Sequence, residues 1–240
     1  MINWNPWYGC SKCSDGCKNC YLESLSKLYD KDFNEVRKSI SNFRNLWKKD
    51  EYRDFIIPAG EIINVCETSD FFIEDADDWR VEAWKMIKDR DDLHFIINTR
   101  RIKHIQDSLP TNWGDGYDNV TIIFNVSSQK DFNDNIEEFK KLKIKHKKIN
   151  FSPIIEKIDI LNFLDNSIEE IFASGEQGRG SRLCNFDWIL DIKKQCELKN
   201  IPFSFISTGT YFYKDGKKYF IKTNDMKSQA DKANINFKKV

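Results

Sequence analysis

Val120-Thr121-Ile122-Ile123-Phe124 is followed by Ile136, Phe139 and Leu142 at helical spacing, and then by Lys148-Ile149-Asn150-Phe151. The two flanking runs are short, rich in β-branched and aromatic residues, and without strict alternation. That is the pattern of strands covered on both faces, as in a parallel sheet. A strand, an amphipathic helix and a second buried strand make a βαβ unit with a right-handed crossover. The same alternation extends in both directions. Further strand-like runs are Glu61–Cys66, Leu93–Ile97, Glu170–Ala173 and Pro202–Ile206, with a short one at Asn3–Tyr8. Between them, Trp79, Ala83, Trp84 and Ile87 share a helical face, as do Trp188, Ile189, Ile192 and Cys196. Cap-like residues open these helices: Asp78, Asp131 or Asn133, and Asn185 or Asp187. About seven strands alternating with helices predict an α/β fold, a partial or complete βα (TIM-like) barrel in a single domain spanning 1–210. A highly charged insertion at about 30–54 reads as a helix plus a connecting loop. Residues 211–240 read as a polar, basic C-terminal extension, with a hairpin around Asp215-Gly216 and a poorly anchored end.

The chain has 240 residues, 40% of them hydrophobic and 32% charged. Eighteen Phe, eight Tyr and seven Trp still supply enough large apolar surface for a core. Lysine plus arginine and aspartate plus glutamate both number 38, so net charge is zero. This argues against a protein that holds nucleic acid by bulk charge, while leaving room for a local basic patch. No apolar run approaches the length of a membrane span, and Met1–Asn5 lacks the charged-then-apolar order of a secretory signal. A cytoplasmic protein with no membrane partner is expected. Neither a Gly-x-Gly-x-x-Gly after the first strand nor a Walker-type Gly-Lys-Ser/Thr loop occurs, which removes the usual nucleotide signatures.

Chemistry concentrates in Gly9-Cys10-Ser11-Lys12-Cys13-Ser14-Asp15-Gly16-Cys17-Lys18-Asn19-Cys20-Tyr21. Four of the seven cysteines fall within eleven residues. An odd total and tight clustering fit a disulfide framework poorly. Thiolates are soft ligands that suit zinc and iron–sulfur centres. Structural zinc sites normally use two separated ligand pairs. Here all four thiols lie on one loop, and His94, His104 and His146 have no ligand spacing. Cys13, Cys17 and Cys20 stand as C-x3-C-x2-C; Cys10, Cys17 and Cys20 stand as C-x6-C-x2-C. A three-thiolate cluster with one open iron is the sharper reading, and a zinc site remains the other. In βα barrels the loops after strands carry the site, and this loop follows the first predicted strand. Cys66, Cys184 and Cys196 read as ordinary buried residues.

The Cys13-x3-Cys17-x2-Cys20 spacing in the first βα loop resembles the radical S-adenosylmethionine (SAM) superfamily. Asn3-Trp4-Asn5-Pro6-Trp7-Tyr8-Gly9-Cys10, followed by Gly16-Cys17-x-x-Cys20-Tyr21, more closely resembles the radical-SAM-like three-Cys-motif proteins associated with phages and bacteria. Ser69-Asp70-Phe71-Phe72, Thr99-Arg100-Arg101, Asn125-Val126-Ser127 and Ser174-Gly175-Glu176-Gln177-Gly178 with Arg182 are similar, in order, to that family's later motifs. The resemblance implies a barrel of the radical SAM type, a 4Fe–4S cluster held by three cysteines, and bound SAM. It implies reductive cleavage of SAM, fed by an external electron donor, to start radical chemistry on a substrate. Family correspondence selects Cys10, Cys17 and Cys20, with Cys13 as the alternative to Cys10. Ser152-Pro153 stands where the family has Glu-Pro, and Ile206-Ser207-Thr208-Gly209 where it has Lys-Gln-Trp-Gly, so the substrate need not carry over.

Strand ends supply the other candidates. SAM needs acceptors for its ammonium, donors for its carboxylate and partners for its ribose hydroxyls. Glu67, Ser69 and Asp70 suit the ammonium, although Asp70 equally suits a helix cap. Asn125 and Ser127 suit ribose or carboxylate, or else a helix-start turn. Glu176 suits a polar contact, and Gly175 before it a close backbone approach. Arg101 or Arg182, among Arg100, Arg101, Arg179 and Arg182, suits a carboxylate clamp, surface pairing being the plainer role for at least two of the four. A nucleotide, a nucleic acid or a protein is the expected substrate class, with a protein partner as a further option. The competing expectations are a zinc- or Fe–S-stabilised binding module without catalysis, associated with nucleic acid, and a barrel that keeps its cluster but has lost SAM cleavage.

Overall fold

The structure is a computed structural model and describes residues 1–239. In chain order the elements are β1 (Ile2–Trp4), β2 (Trp7–Tyr8), α1 (Tyr21–Leu28), β3 (Arg37–Lys38), β4 (Ile62–Val65), α2 (Asp77–Asp89), β5 (His94–Thr99), α3 (Ile102–Ser108) and β6 (Val120–Val126). They continue with α4 (Gln129–Lys141), β7 (His146–Phe151), β8 (Glu170–Ser174), β9 (Leu183–Asn185), α5 (Phe186–Leu198), β10 (Phe203–Ser207), β11 (Tyr211–Lys214), β12 (Lys217–Phe220) and α6 (Met226–Ala233). The main sheet has seven strands in the order β1-β4-β5-β6-β7-β8-β10. This sequential order of parallel strands is the expected α/β architecture. It is consistent with a partial TIM-like barrel and not with a closed one, because β1 and β10 end the order. Six of the seven predicted strands correspond to strands of this sheet, and the seventh, Asn3–Tyr8, only in its first residues, at β1.

The chain divides into two compact units. The first comprises Met1–Lys12, Leu22–Ile123 and Leu142–His146. In it β1 runs parallel to β4, with Trp4 opposite Val65, and β4 parallel to β5, with Val65 opposite Ile97. Trp7 stacks on Phe71 at 5.3 Å between ring centroids, Phe71 meets Trp84 at 4.9 Å, and Trp84 meets Trp113 at 5.1 Å. Such offset and edge contacts add to the burial of large rings. Arg80 lies inside this aromatic core, and its guanidinium donates to Phe71 O, Ile73 O, Asp77 and Ser108. A buried cation is tolerable only when its donors are satisfied in this way.

The second unit comprises Cys13–Tyr21, Phe124–Lys141 and the chain from Lys147 onward. Here β7 runs parallel to β8, with Phe151 opposite Ala173, and β8 parallel to β10. Phe132, Phe139, Ile171, Ile189, Ile192 and Phe203 are buried between sheet and helices. Asn185 caps α5, accepting from Asp187 N at 3.0 Å. The other two expected caps differ. α2 starts at Asp77 without a side-chain cap, and α4 starts at Gln129, with Ser128 Oγ accepting from Asp131 N at 3.2 Å.

Three further expectations are corrected. Asn3–Tyr8 is not one strand: the chain breaks at Pro6, which has no N–H to give a ladder, and β2 pairs antiparallel with β3. Residues 30–54 contain no α-helix; they hold β3, a 3-10 turn at Asn45–Trp47 and an isolated bridge from Lys49 to Phe55. Phe33, Val36, Ile40, Phe43 and Trp47 stand at helical spacing, but they do not bury as one stripe: Phe33, Phe43 and Leu46 are buried while Ile40 is fully exposed. The C-terminal segment is anchored as far as Phe237 rather than loose. After the expected hairpin of β11 and β12, α6 follows, and Phe237 exchanges two backbone hydrogen bonds with Phe203 at 2.8 and 2.9 Å.

Candidate metal-binding loop and the strand ends

The cysteine loop is shared by the two units, which divide between Lys12 and Cys13 and between Tyr21 and Leu22. In the first unit, Cys10 N donates to Phe33 O at 2.8 Å. The preceding Gly9 has φ +87°, and a Cβ there would lie 2.1 Å from Glu35 O. Only glycine permits that approach with that backbone. Ser69, after β4, donates from Oγ to Gly9 O at 2.5 Å.

Asp70 is buried where β4 and β5 end. Its Oδ1 accepts from Phe72 N at 2.9 Å and Thr99 Oγ1 at 2.8 Å, and its Oδ2 from Arg100 N at 3.0 Å. Burial pushes its carboxyl up, and the bonds from Arg100, Phe72 and Thr99 offset this only in part. Asp70 thus ties two strand ends together, and its carbonyl oxygen accepts from Trp7 Nε1 at 3.1 Å. Arg101 reaches the loop itself. One of its terminal nitrogens donates to Ser11 O at 2.9 Å and Ser11 Oγ at 2.7 Å, and the other pairs with Glu74 at 3.3 Å.

In the second unit, Cys17 N donates to Ser14 O at 3.0 Å and Cys20 N to Cys17 O at 3.2 Å, so Cys17 and Cys20 sit on a tight turn. Glu176, after β8, grips that turn. Its Oε2 accepts from Asn19 Nδ2 at 3.0 Å, Arg182 N at 2.7 Å and Arg182 Nε at 2.9 Å, while Oε1 pairs with Arg182 Nη2 at 2.5 Å. Arg182 also donates to Asp15 O at 2.9 Å, and Asn19 to Gly180 O at 3.1 Å. Burial raises the Glu176 carboxyl, but the bonds from Arg182 and Asn19 outweigh it and hold it below the usual range. Asn19 and Asp15 were not among the sequence candidates; a polar residue in a loop carries no signal of its partner.

The remaining candidates lie at other strand ends. Asn125 is the penultimate residue of β6, and Ser127 follows it, fully buried, with its N–H donating to Asp131 at 3.3 Å. Ser152, after β7, accepts at Oγ from Ser174 at 2.7 Å. Gly175 was expected to let a ligand approach. Its neighbour is instead the chain after β10: a Cβ at Gly175 would lie 2.3 Å from Thr208 O. Arg179 and Glu67 are exposed.

None of the seven cysteines is in a disulfide. Cys66, Cys184 and Cys196 are buried as expected. Burial pushes Cys184 and Cys196 up to about 12 and Cys66 well above its ordinary value. They are inert at neutral pH, which leaves the four accessible loop thiols as the soft donor set. Among the described residues no three His, Cys, Asp or Glu side chains converge as a ligand group. The donor chemistry of the loop, four thiols within eleven residues, fits a thiolate-bound metal.

A family model described as a protein of unknown function (DUF5131) matches residues 2–236. The chain belongs to the DUF5131 family. No curated protein and no solved structure matches it. The match runs through the cysteine loop and every strand end described above, so these features fall inside the family's extent. No helix among the described residues is long and apolar enough to cross a membrane.

Proposed function

We propose that the chain is an iron–sulfur enzyme that binds S-adenosylmethionine and cleaves it reductively to start radical chemistry on its substrate. The observation that carries this reading is the set of four cysteines within eleven residues, on a loop braced by strand-end side chains. Cys17 and Cys20, with Cys10 or Cys13 as the third, would hold a 4Fe–4S cluster. Cluster and SAM, when bound, would supply one-electron cleavage of a carbon–sulfur bond and so a radical able to abstract hydrogen.

The chain's own part is positional. Arg101 fixes Ser11, between Cys10 and Cys13, and the Glu176–Arg182 pair fixes Asp15 and Asn19 around Cys17 and Cys20. A ligand loop held at several points loses less entropy when it closes on a metal. Ser69, Asn125 and Ser127 offer hydroxyl and amide groups at strand ends, which suit the hydroxyls and carboxylate of SAM.

Anaerobic reconstitution with iron and sulfide, followed by metal analysis and electron paramagnetic resonance with and without SAM, tests the reading. About four irons per chain and a reduced spectrum that changes on adding SAM are expected. A colourless protein holding one zinc would make the loop a structural centre. A cluster whose spectrum ignores SAM would remove the enzyme.

A further inference from the structure

We infer that the outer face of the sheet formed by β9, β11 and β12 binds single-stranded nucleic acid. This inference stands apart from the cluster and does not depend on it.

Charge is unevenly placed in this neutral chain. Residues 211–240 carry eight lysines against three aspartates, with no arginine or glutamate, so the first 210 residues carry a net charge of −5 and the last thirty +5. Much of that positive charge lies on the β11–β12 hairpin, at Lys214, Lys217, Lys218 and Lys222. Among the described residues none of these four has an acidic partner at ion-pair distance.

The hairpin also sorts its side chains. Tyr211 stands opposite Phe220, and Tyr213 opposite Lys218. Opposed residues share a face and alternate residues switch faces. Tyr211, Tyr213, Lys218 and Phe220 therefore line one face, which β9 extends with Leu183 and Asn185. The other face is the inner one, where Phe212 packs on Phe186 and Phe205. On the outer face Phe220 is 67% exposed. Its ring stands 5.9 Å from that of Tyr211, and Lys218 Nζ lies 4.6 Å from the Tyr211 ring centroid. All four residues of β12 are exposed, and β12 is an edge strand.

On the outer face the rings of Tyr211, Tyr213 and Phe220 surround Lys218, while Lys214 and Lys217 stand on the opposite face of the same hairpin and add to its positive field. Such a face suits one partner chemistry. Unstacked bases lie on the rings, and phosphates meet the ammonium groups. Duplex bases are already stacked and do not offer their faces, so single strands are preferred. A second copy adding to the edge is disfavoured, because it would bring Lys217 and Lys218 against like charges.

Fluorescence anisotropy of the full chain with labelled oligo-dT and oligo-U of about twelve nucleotides, and with a duplex of equal length, tests this at low salt. Either single strand should bind more tightly than the duplex, and the comparison of dT with U shows whether the ribose hydroxyl is read. Phe220→Ala should weaken binding about tenfold, and Phe220→Trp should retain it. Lys218→Glu should weaken it at least as much and flatten the log–log salt slope by roughly 0.7, and Lys217→Glu, on the other face, should weaken it less. Thermal melts of these surface variants should match wild type. No binding, or equal binding of duplex with Phe220→Ala unchanged, overturns the proposal. So does a sedimentation shift in Lys218→Glu with oligonucleotide affinity intact, which would assign the face to a second copy.

Discussion

Asn19 and Glu176 are 157 residues apart in sequence, and the amide of one donates to the carboxylate of the other at 3.0 Å. The same carboxylate takes the backbone N–H and guanidinium of Arg182, which in turn holds Asp15 O. The turn bearing Cys17 and Cys20 is thus fastened to the end of β8 through one buried acid. A residue that sequence assigns to a ligand also holds the loop.

Glu176→Ala should therefore lower stability by about 1–3 kcal/mol, the cost of leaving buried donors without an acceptor. Urea unfolding measures this. Amide exchange over residues 13–20 should accelerate, while that of α2 stays as in wild type. Unchanged exchange across 13–20 would show that the loop is held by something else.

Acid should separate two carboxylates. Glu176 has its folded-state value lowered, so its contribution is complete above its unfolded value near 4.5 and is lost as pH falls through the folded one. Asp70 has its value raised, so its contribution is complete below 3.8 and is lost as pH rises through the folded value. The stability gap between wild type and Glu176→Gln should narrow on acidification below about pH 4.5. For Asp70→Asn, which leaves Arg100 N–H facing an amide nitrogen, the gap should widen on acidification. Parallel pH profiles for both variants would contradict the assigned shifts.

Native alkylation should sort the thiols. At neutral pH a thiol with a value of about 12 is almost wholly protonated and unreactive. In metal-free protein N-ethylmaleimide should label Cys10, Cys13, Cys17 and Cys20, and should reach Cys66, Cys184 and Cys196 only after unfolding. Peptide mass spectrometry reads the order. Rapid native labelling of Cys184 would mean that α5 and the β9 sheet open far more often than their packing allows.

Single cysteine variants should divide unequally after reconstitution. Cys17→Ala and Cys20→Ala should each abolish iron binding, since both spacings use them. Of Cys10→Ala and Cys13→Ala only one should do so, and the family resemblance points to Cys10. Full iron content in Cys17→Ala would exclude a thiolate cluster on this loop.

The parallel sheet was legible because buried strands announce themselves. Runs such as Val120–Phe124 and Lys148–Phe151 are too short for helices and too apolar for loops. The helical faces of α2, α4 and α5 were equally plain. α3 was not, because its seven residues offer only Ile102 and Ile105 as a buried stripe. Residues 30–54 misled because dense charge imitates an exposed helix, whereas the segment is held by isolated rings such as Phe33 and Phe43. The loop thiols were visible from spacing alone. Their fastening was not, since Asn19, Asp15 and Glu176 meet only through the fold. Gly175 shows the same limit: glycine reports that something comes close, and only the structure says that it is Thr208.

The last residues of the described chain settle what β10 can do with its free side. Phe237 bonds twice to Phe203, and Asn236 Oδ1 accepts from Phe205 N at 2.8 Å. These contacts occupy donors that a bare outer strand would offer to any passing extended segment. The molecule supplies its own blocking group, so a chain cut back before Asn236 should oligomerise through β10 even where its interior remains intact.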